Sequence, residues 1–431
     1  MTRGVEAVLI AVASGLAGFG VLLVKLASGG GIDAEVWLTA ATFILAFGGF
    51  HLALRRWAPQ SDGIIIPAAA LLTAIGFIEV YRLNPYRAGL QRWWLLIAAI
   101  ITITFLAWLS RRGLAHLRRF RYLFLVASLL LLVSPLLPEA GPLPLRGVEQ
   151  NGSRLWLVLE LGFTSIHFQP GELAKLALIA FLASILAERQ AGLTGEGGPF
   201  TKLRPSALRQ LGPALIVASL AILVLVSQRD LGASLLLFGI LIGMLYTATG
   251  GSFYPLVGLT IAGAGGFLAW RLFPHVQTRV TAWLTPFSDF EGAGYQVAQG
   301  WFGLGTGSLS GSGFGLGRPN LIPNAATDYI FAAVGEELGF AGSAAVIALF
   351  AVIVAAGFGT ALRARDRHRK LLAAGLAFAF GLQTFLIVGG ILRLVPLTGI
   401  TLPLMSYGGS SLVSTFLMFS LLGRVSHEEQ M

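Results

Sequence analysis

Stretches of roughly 20 mainly apolar residues, the length needed to cross a bilayer as a helix, recur through most of this 431-residue chain. Twelve can be placed: 7–27, 36–54, 63–81, 93–109, 121–137, 172–188, 212–228, 231–249, 254–273, 329–358, 371–392 and 404–423. Runs this long and unbroken cannot clothe a water-facing surface. They also exclude a membrane β-barrel, whose strands alternate every second residue. The composition agrees, with 55% hydrophobic and 12% charged residues where a soluble domain carries about 25% charged. A soluble enzyme and a disordered chain are therefore excluded. The 55 Gly follow no period, which removes fibrous repeats. With no Cys, disulfides, thiolate metal sites and Cys nucleophiles drop out. The run 7–27 is long and lacks a clean small-residue cleavage site before Ser28, so it reads as a span and not as a cleavable signal. The expected fold class is an all-α polytopic membrane protein of about twelve transmembrane helices.

Orientation follows from Lys and Arg. With the N-terminus inside, the alternate loops carrying Arg55 and Arg56, Arg111 to Arg121, Arg189 to Arg209 and Arg363 to Lys370 all fall in the cytoplasm, together with most of the 30 Lys and Arg. Both termini are then cytoplasmic. The net charge of +10 is thus explained by membrane anchoring, and no nucleic-acid partner is expected. Gln228-Arg229-Asp230 separates two runs either as a tight outer turn or as a helix break.

Two outer segments, 138–171 and 274–327, are too long to be plain turns. The first holds Arg154, Trp156, Phe163 and Phe168; the second holds Trp283, Phe287, Tyr295, Trp301 and Phe314. Two readings stand: interfacial anchoring by the aromatics, or a lipid-headgroup site roofed by these loops.

Ionisable residues in or beside a span are costly and mark either function or a structural pair. Glu172 and Lys175 have the i, i+3 spacing that puts both on one helix face. They read either as a self-contained salt bridge or as an ammonium presented to a phosphate and positioned by Glu172. Asp230 beside Arg229 is expected to cap a turn. Arg393 is either an outward-snorkelling cation or a phosphate clamp. Asp328, at the start of the run Tyr329-Ile330-Phe331, suits the positive end of a helix, and Thr327 suits the cap equally well. Of Glu336 and Glu337, one is expected to face the bundle interior.

Several constellations are absent. None of the six His has H-x-x-x-H spacing, and no G-x-x-x-x-G-K-[ST] occurs, so neither a zinc site nor a Walker A loop is expected. The run 303–317, GLGTGSLSGSGFGLG, contains no complete G-x-G-x-x-G and follows no strand. It is expected to be a flexible loop that permits close backbone approach.

The motifs together resemble the SEDS family (shape, elongation, division and sporulation), the group of RodA, FtsW and SpoVE. The strongest match is PLTGITLPLMSYGGSS at 396–411; FQPGELAK at 168–175, GSRLW at 152–156, YQVAQ at 295–299 and PNAATDYIFAAVGEELG at 323–339 accompany it in order. The chain departs from the family pattern at Asn324 (usually Glu), Ala326 (usually His), Arg229 (usually Pro) and Leu155 (usually basic). The resemblance covers about residues 63–425 and implies a ten-helix polymerase core there. Residues 1–62 are then two additional N-terminal helices, expected to be peripheral to catalysis.

The resemblance implies a peptidoglycan glycosyltransferase that polymerises lipid II at the outer face of the bacterial cytoplasmic (inner) membrane, in elongation or division. It implies Asp328 as the catalytic carboxylate, with general base as its expected role. Glu172 and Lys175 would line the same cavity, with Arg154, Arg279 and Arg393 as candidates for the pyrophosphate and Trp156 for sugar or loop packing. A divalent cation, Mg or Mn, bridging Asp328 and the pyrophosphate fits this chemistry, although no sequence motif requires one. The implied partners are lipid II, a class B penicillin-binding protein and membrane lipids. The competing class is a lipid II flippase without bond chemistry; the nearly charge-free inner halves of the spans count against a polar path.

Overall fold

The computed structural model describes residues 1–138, 145–150, 153–160, 165–193, 212, 219–220, 222–224, 226–292 and 294–430. Its helices run, in chain order, α1 (Arg3–Ala27), α2 (Ala34–Phe43), α3 (Gly49–Trp57), α4 (Ile65–Leu83), α5 (Pro85–Arg112), α6 (Ala115–Arg119), α7 (Arg121–Val133) and α8 (Pro170–Leu193). After a gap in the described residues come α9 (Leu231–Thr249), α10 (Phe253–Leu272), α11 (Pro274–Leu284), α12 (Tyr295–Thr306), α13 (Ile330–Arg363), α14 (Arg367–Ile391) and α15 (Gly409–Glu428). Among the described residues nine helices are long and apolar enough to cross a membrane, and the protein is a multi-pass, mainly helical membrane protein. Of the remaining expected runs, 121–137 forms the shorter apolar helix Arg121–Leu136. Much of 212–228 lies outside the described residues. The run 404–423 becomes α15, which starts later and buries Ser410, Ser411, Ser414, Thr415 and Ser420.

Local chemistry sets the boundaries. A π-helical turn, Ile44–Gly48, joins α2 to α3, so the run 36–54 is one continuous span. α4 stops at Asn84 because Pro85 opens α5: proline disfavours helix in the preceding residue and is pre-set for a first helical position. The Asn84 side chain accepts the Arg87 amide at 3.0 Å. Asp230 caps α9 through the Ala233 amide at 2.8 Å, as its sequence context predicts.

The chain divides into two units. The first comprises Met1–Trp108, Gly266–Ala356 and Gln383–Met431; the second comprises Leu109–Gly265 and Gly357–Leu382. In the first unit, α1 packs on α4 so closely that a Cβ at Gly20 would lie 2.2 Å from Ile78. Phe47 and Phe50 of the α2–α3 span pack on Phe416 of α15 at 5.3 and 5.7 Å, the first tilted and the second stacked. The two N-terminal spans are therefore built into the core of this unit. Gly76 lets the Met405 backbone lie against α4, where a Cβ would approach to 2.3 Å; this seats the segment 396–411.

Sequence periodicity does not anticipate the break in α13. Gly339 has φ 68° and ψ −166°, a region open to glycine almost alone. The break frees helical backbone groups, and the glycine-rich segment takes them up. Ser312 and Gly313 amides donate to the carbonyls of Glu336 and Glu337 at 3.0 and 2.9 Å, and Phe340 and Ala341 amides donate to Ser308 and Leu309 carbonyls at 2.9 and 3.1 Å. Both Glu336 and Glu337 turn inward, not one of them. Glu336 accepts the Arg318 amide at 2.6 Å, Glu337 accepts the Gly315 amide at 3.0 Å, and Arg82 of α4 lies 3.3 Å from Glu337. The close backbone approach expected of 303–317 is present, and it fastens the loop down. Non-helical backbone at such a place is tolerated because protein groups satisfy it.

In the second unit, α7 packs on α8, with the Ser128 hydroxyl donating to the Ala174 carbonyl at 3.1 Å. The expected all-α architecture carries one addition within 138–171, an antiparallel sheet of β1 (Leu145–Gln150), β2 (Ser153–Glu160) and β3 (Ser165–Phe168). β2 pairs with both neighbours, placing Trp156 opposite Val148 and Val158 opposite His167.

Candidate active site

Asp328 stands on a tight turn that leads into α13. Asn324 adopts φ 56°, and its carbonyl accepts the Thr327 amide at 3.0 Å, the Tyr329 amide at 3.3 Å and the Thr327 hydroxyl at 3.2 Å. Other sequence motifs brace this turn. Gln296 of α12 donates to the Pro323 carbonyl at 3.1 Å. The Ser406 hydroxyl donates to the Thr327 carbonyl at 2.5 Å and accepts the Leu402 amide at 2.9 Å. The Tyr407 amide donates to the Ala326 carbonyl at 2.8 Å. Residues 295–299, 323–339 and 396–411 thus meet at the turn that carries Asp328.

The first helical hydrogen bonds of α13 go to the Tyr329 carbonyl, from Ala332 and Ala333. The Asp328 carboxylate accepts no amide of that helix, and the neighbouring Thr327 hydroxyl favours its ionised form. Asp328 is therefore not spent as a helix cap. It is half-buried, and burial pushes its carboxyl up to about 6, against the lowering effects of the Thr327 hydroxyl and the Arg279 guanidinium. Burial and the Asp328 charge together push the Tyr329 phenol up, so that phenol stays neutral. Arg279 comes from α11 and donates to the Thr398 carbonyl at 3.1 Å and, more weakly, to the Leu397 carbonyl at 3.5 Å. Gly399, at φ 74°, fits where a Cβ would lie 3.6 Å from Arg279 and 3.9 Å from the Asp328 carboxylate. A glycine there keeps the space between acid and guanidinium open.

Arg393 is half-buried and engages protein groups. Its Nε and Nη2 donate to the Trp283 and Leu284 carbonyls at 2.8 and 3.0 Å, and its guanidinium lies 4.4 Å above the Trp301 ring.

The other expected residues belong to the second unit. Glu172 and Lys175 form the one-face pair predicted from their spacing, at 2.7 Å and buried, on the first turns of α8. Arg154 sits on β2 with its Nε 3.5 Å from Glu149 of β1, and Trp156, two residues on, is half-buried. Sequence reasoning missed the supporting roles of Gln296 and Ser406. They lie inside quoted motifs, but their partners are backbone carbonyls that no spacing reveals. Among the described residues no group of three or more His, Asp or Glu is placed to hold a metal.

Comparisons with known proteins place the chain in a family. A family model for FtsW, RodA and SpoVE, described as cell cycle protein, matches residues 63–431. The peptidoglycan glycosyltransferase RodA of Mycobacterium tuberculosis is 37% identical over 99% of this chain and 90% of its own length. Stage V sporulation protein E of Bacillus subtilis is 36% identical over 72% of this chain and 79% of its own. A solved chain from work titled "Structural coordination of polymerization and crosslinking by a peptidoglycan synthase complex" is 28% identical, with TM-score 0.68, over 86% of this chain and 98% of that one. The crystal structure of the rod shape determining protein RodA of Thermus thermophilus shares the fold at TM-score 0.60 and 24% identity, with the same coverage of 86% and 98%. With the family model covering most of the chain and a relative above 30% identity spanning nearly all of it, this protein belongs to the FtsW/RodA/SpoVE family.

Proposed function

We propose that this protein is a peptidoglycan glycosyltransferase that polymerises glycan strands from lipid II at the outer face of the cytoplasmic membrane. The names of its relatives support the reaction class. The observation that carries the assignment to a residue is Asp328, a half-buried carboxylate that no helix amide engages, braced by three motifs and faced by Arg279.

The chemistry joins a sugar hydroxyl of one lipid II to the anomeric carbon of the growing strand. The new oxygen–carbon bond forms as the bond from that carbon to the pyrophosphate breaks. Asp328 takes the hydroxyl proton. A carboxyl near 6 is mostly ionised at neutral pH and is still basic enough to accept a proton in the transition state. The leaving pyrophosphate carries the electron pair away and needs positive charge. Arg279, Arg154 and Lys175 are the cations proposed for that role, with Glu172 orienting Lys175 and Trp156 packing against sugar. Asp328 is also the residue of this chain that would hold a divalent ion, Mg or Mn, which would supply further positive charge for the leaving group.

The expected partner is a class B penicillin-binding protein that crosslinks the strands, which fits the solved relative's description as part of a synthase complex. The test is polymerisation of fluorescent lipid II by the purified protein, alone and with a class B penicillin-binding protein. Glycan ladders are expected. Translocation of lipid II across vesicles without any ladder would replace this reading with the flippase.

A further inference from the structure

Arg82, Arg87 and Arg92 stand around the turn between α4 and α5. Two of them are engaged by other groups. Arg82 lies 3.3 Å from Glu337 and donates to the Gly317 carbonyl at 3.1 Å, and Arg92 pairs with Glu35. Arg87 is exposed, and among the described residues its guanidinium joins no ion pair and donates no hydrogen bond. It lies 5.6 Å over the ring of Tyr407, a contact that holds the planar cation and leaves its N–H edges open. The Tyr407 amide donates to the Ala326 carbonyl at 2.8 Å, and the Ser406 hydroxyl donates to the Thr327 carbonyl. Through Tyr407, Arg87 therefore adjoins the turn that carries Asp328.

Residues 87, 91 and 94 share one face of α5, by their i, i+4 and i+7 spacing. The contacts on either side of Gln91 fix where that face points. Arg87 is over Tyr407, and the Trp94 ring lies so close to Gly409 that a Cβ there would approach to 2.0 Å. Gln91, one turn on from Arg87, therefore faces residues 401–411. It is 1% exposed, and neither its amide nitrogen nor its amide oxygen has a hydrogen-bond partner among the described residues. The hydroxyls of Thr401 and Ser411 are likewise unpartnered. Both flank Gly408, where a Cβ would lie 3.6 Å from each side chain. Burying an unpartnered amide is costly, and leucine would fill a purely structural position better. Polar groups kept in this state point to a ligand that supplies their partners.

We propose that Arg87 and Gln91 form a subsite for the diphosphate of a lipid-linked substrate. The Arg87 guanidinium takes two phosphate oxygens, and the Gln91 amide N–H donates to the same group from the next turn of α5. A guanidinium matches phosphate oxygens two at a time. A helix face with a cation at its exposed end and hydrogen-bonding groups one turn inward suits a headgroup whose tail lies in the bilayer. An arginine that merely snorkels to the surface needs neither the Tyr407 ring nor a polar neighbour one turn on. Arg279 and Arg393 both donate to backbone carbonyls, so Arg87 is more available to a phosphate than either. The proposal rests on the glycosyltransferase reading for the identity of the substrate and not for the phosphate chemistry.

The experiment measures binding of farnesyl diphosphate, inorganic pyrophosphate and phosphatidylglycerol to the purified full chain in detergent. It compares wild type with Arg87→Ala, Arg87→Lys and Gln91→Leu. Wild type should bind farnesyl diphosphate, with pyrophosphate competing more weakly for want of a tail. Arg87→Ala should weaken farnesyl diphosphate binding by at least about tenfold, the loss expected of a charged hydrogen-bonded contact. Arg87→Lys should recover part of it, since an ammonium keeps the charge without the fork. Gln91→Leu should weaken it by about threefold or more while the thermal midpoint holds or rises, because leucine removes an amide that no protein group satisfies. In lipid II polymerisation the same variants should raise KM in the same order. Unchanged farnesyl diphosphate binding in Arg87→Ala and Gln91→Leu would overturn the proposal, leaving the unpartnered groups to solvent. Loss of phosphatidylglycerol binding with farnesyl diphosphate binding intact would also overturn it, making Arg87 a contact for bulk lipid. Pyrophosphate binding as tight as farnesyl diphosphate would overturn the lipid-linked assignment in favour of a free phosphate. Arg87-dependent binding of farnesyl diphosphate by a protein that makes no glycan would uphold the subsite and sink the glycosyltransferase reading alone.

Discussion

Replacing Gly339 by Ala tests whether the break in α13 is required by the fold. At φ 68° and ψ −166° a side chain is strained by about 1–3 kcal/mol. The added methyl would also sit 2.2 Å from the Gly311 amide nitrogen and 2.8 Å from the Leu309 carbonyl oxygen. Both neighbours are backbone and cannot step aside as a flexible side chain would. Moving the loop far enough weakens the bonds from Phe340 and Ala341 to Ser308 and Leu309, at about 1 kcal/mol each. The total, roughly 3–5 kcal/mol, is a large part of an ordinary folding stability of about 5–15 kcal/mol. Thermal unfolding of the purified protein in detergent should show a midpoint several degrees lower. The loop 308–317 should also become accessible to protease. An Ala variant with wild-type midpoint and protection would mean that α13 runs straight through and that the loop is held by something else.

The rate of polymerisation should fall about tenfold per pH unit below about 6, because protonation removes the base and the Asp328 carboxyl titrates near that value; a flat profile from pH 5 to 7 would exclude Asp328 as the titrating group. Lys175→Met should cost about 3–5 kcal/mol by removing the ammonium that lies 2.7 Å from the buried Glu172 carboxylate. The double change Glu172→Gln with Lys175→Met should recover stability but not polymerisation; normal glycan synthesis by the double variant would reduce the pair to a structural one. A chain starting near Gln60 should insert in the same orientation, since an even number of spans is removed, and should polymerise when folded. It should also unfold at lower temperature, because the α4 face under Gly20 and the Phe416 ring under Phe47 and Phe50 are uncovered; a wild-type midpoint would contradict that packing.

Much of this was legible in sequence, for physical reasons. The spans were visible because apolar runs such as 231–249 end at strong local signals, Asp230 at one end and Gly250 at the other. The Glu172–Lys175 pair was visible because i, i+3 geometry is fixed by the helix. The sheet was hidden because SRLWLVLE alternates over too few residues to be told from an apolar run. The break at Gly339 was hidden because glycine inside a long apolar helix is common, and what makes this one different is the loop docked on it. Arg393 showed the same limit: a cation at a helix end reads alike whether it reaches for phosphate or for the carbonyls of Trp283 and Leu284, which stand about 110 residues away in the chain.

The central claim is that Asp328 is the base. As a mere helix-end charge it would contribute about 0.3–1 kcal/mol, whereas a general base contributes about 10²–10⁴-fold in rate. Asn keeps the size of the side chain and cannot take the proton. The deciding measurement is lipid II polymerisation by Asp328→Asn, purified, folded and shown to bind lipid II. The account predicts a loss of at least a hundredfold, and polymerisation within a few-fold of wild type would contradict it.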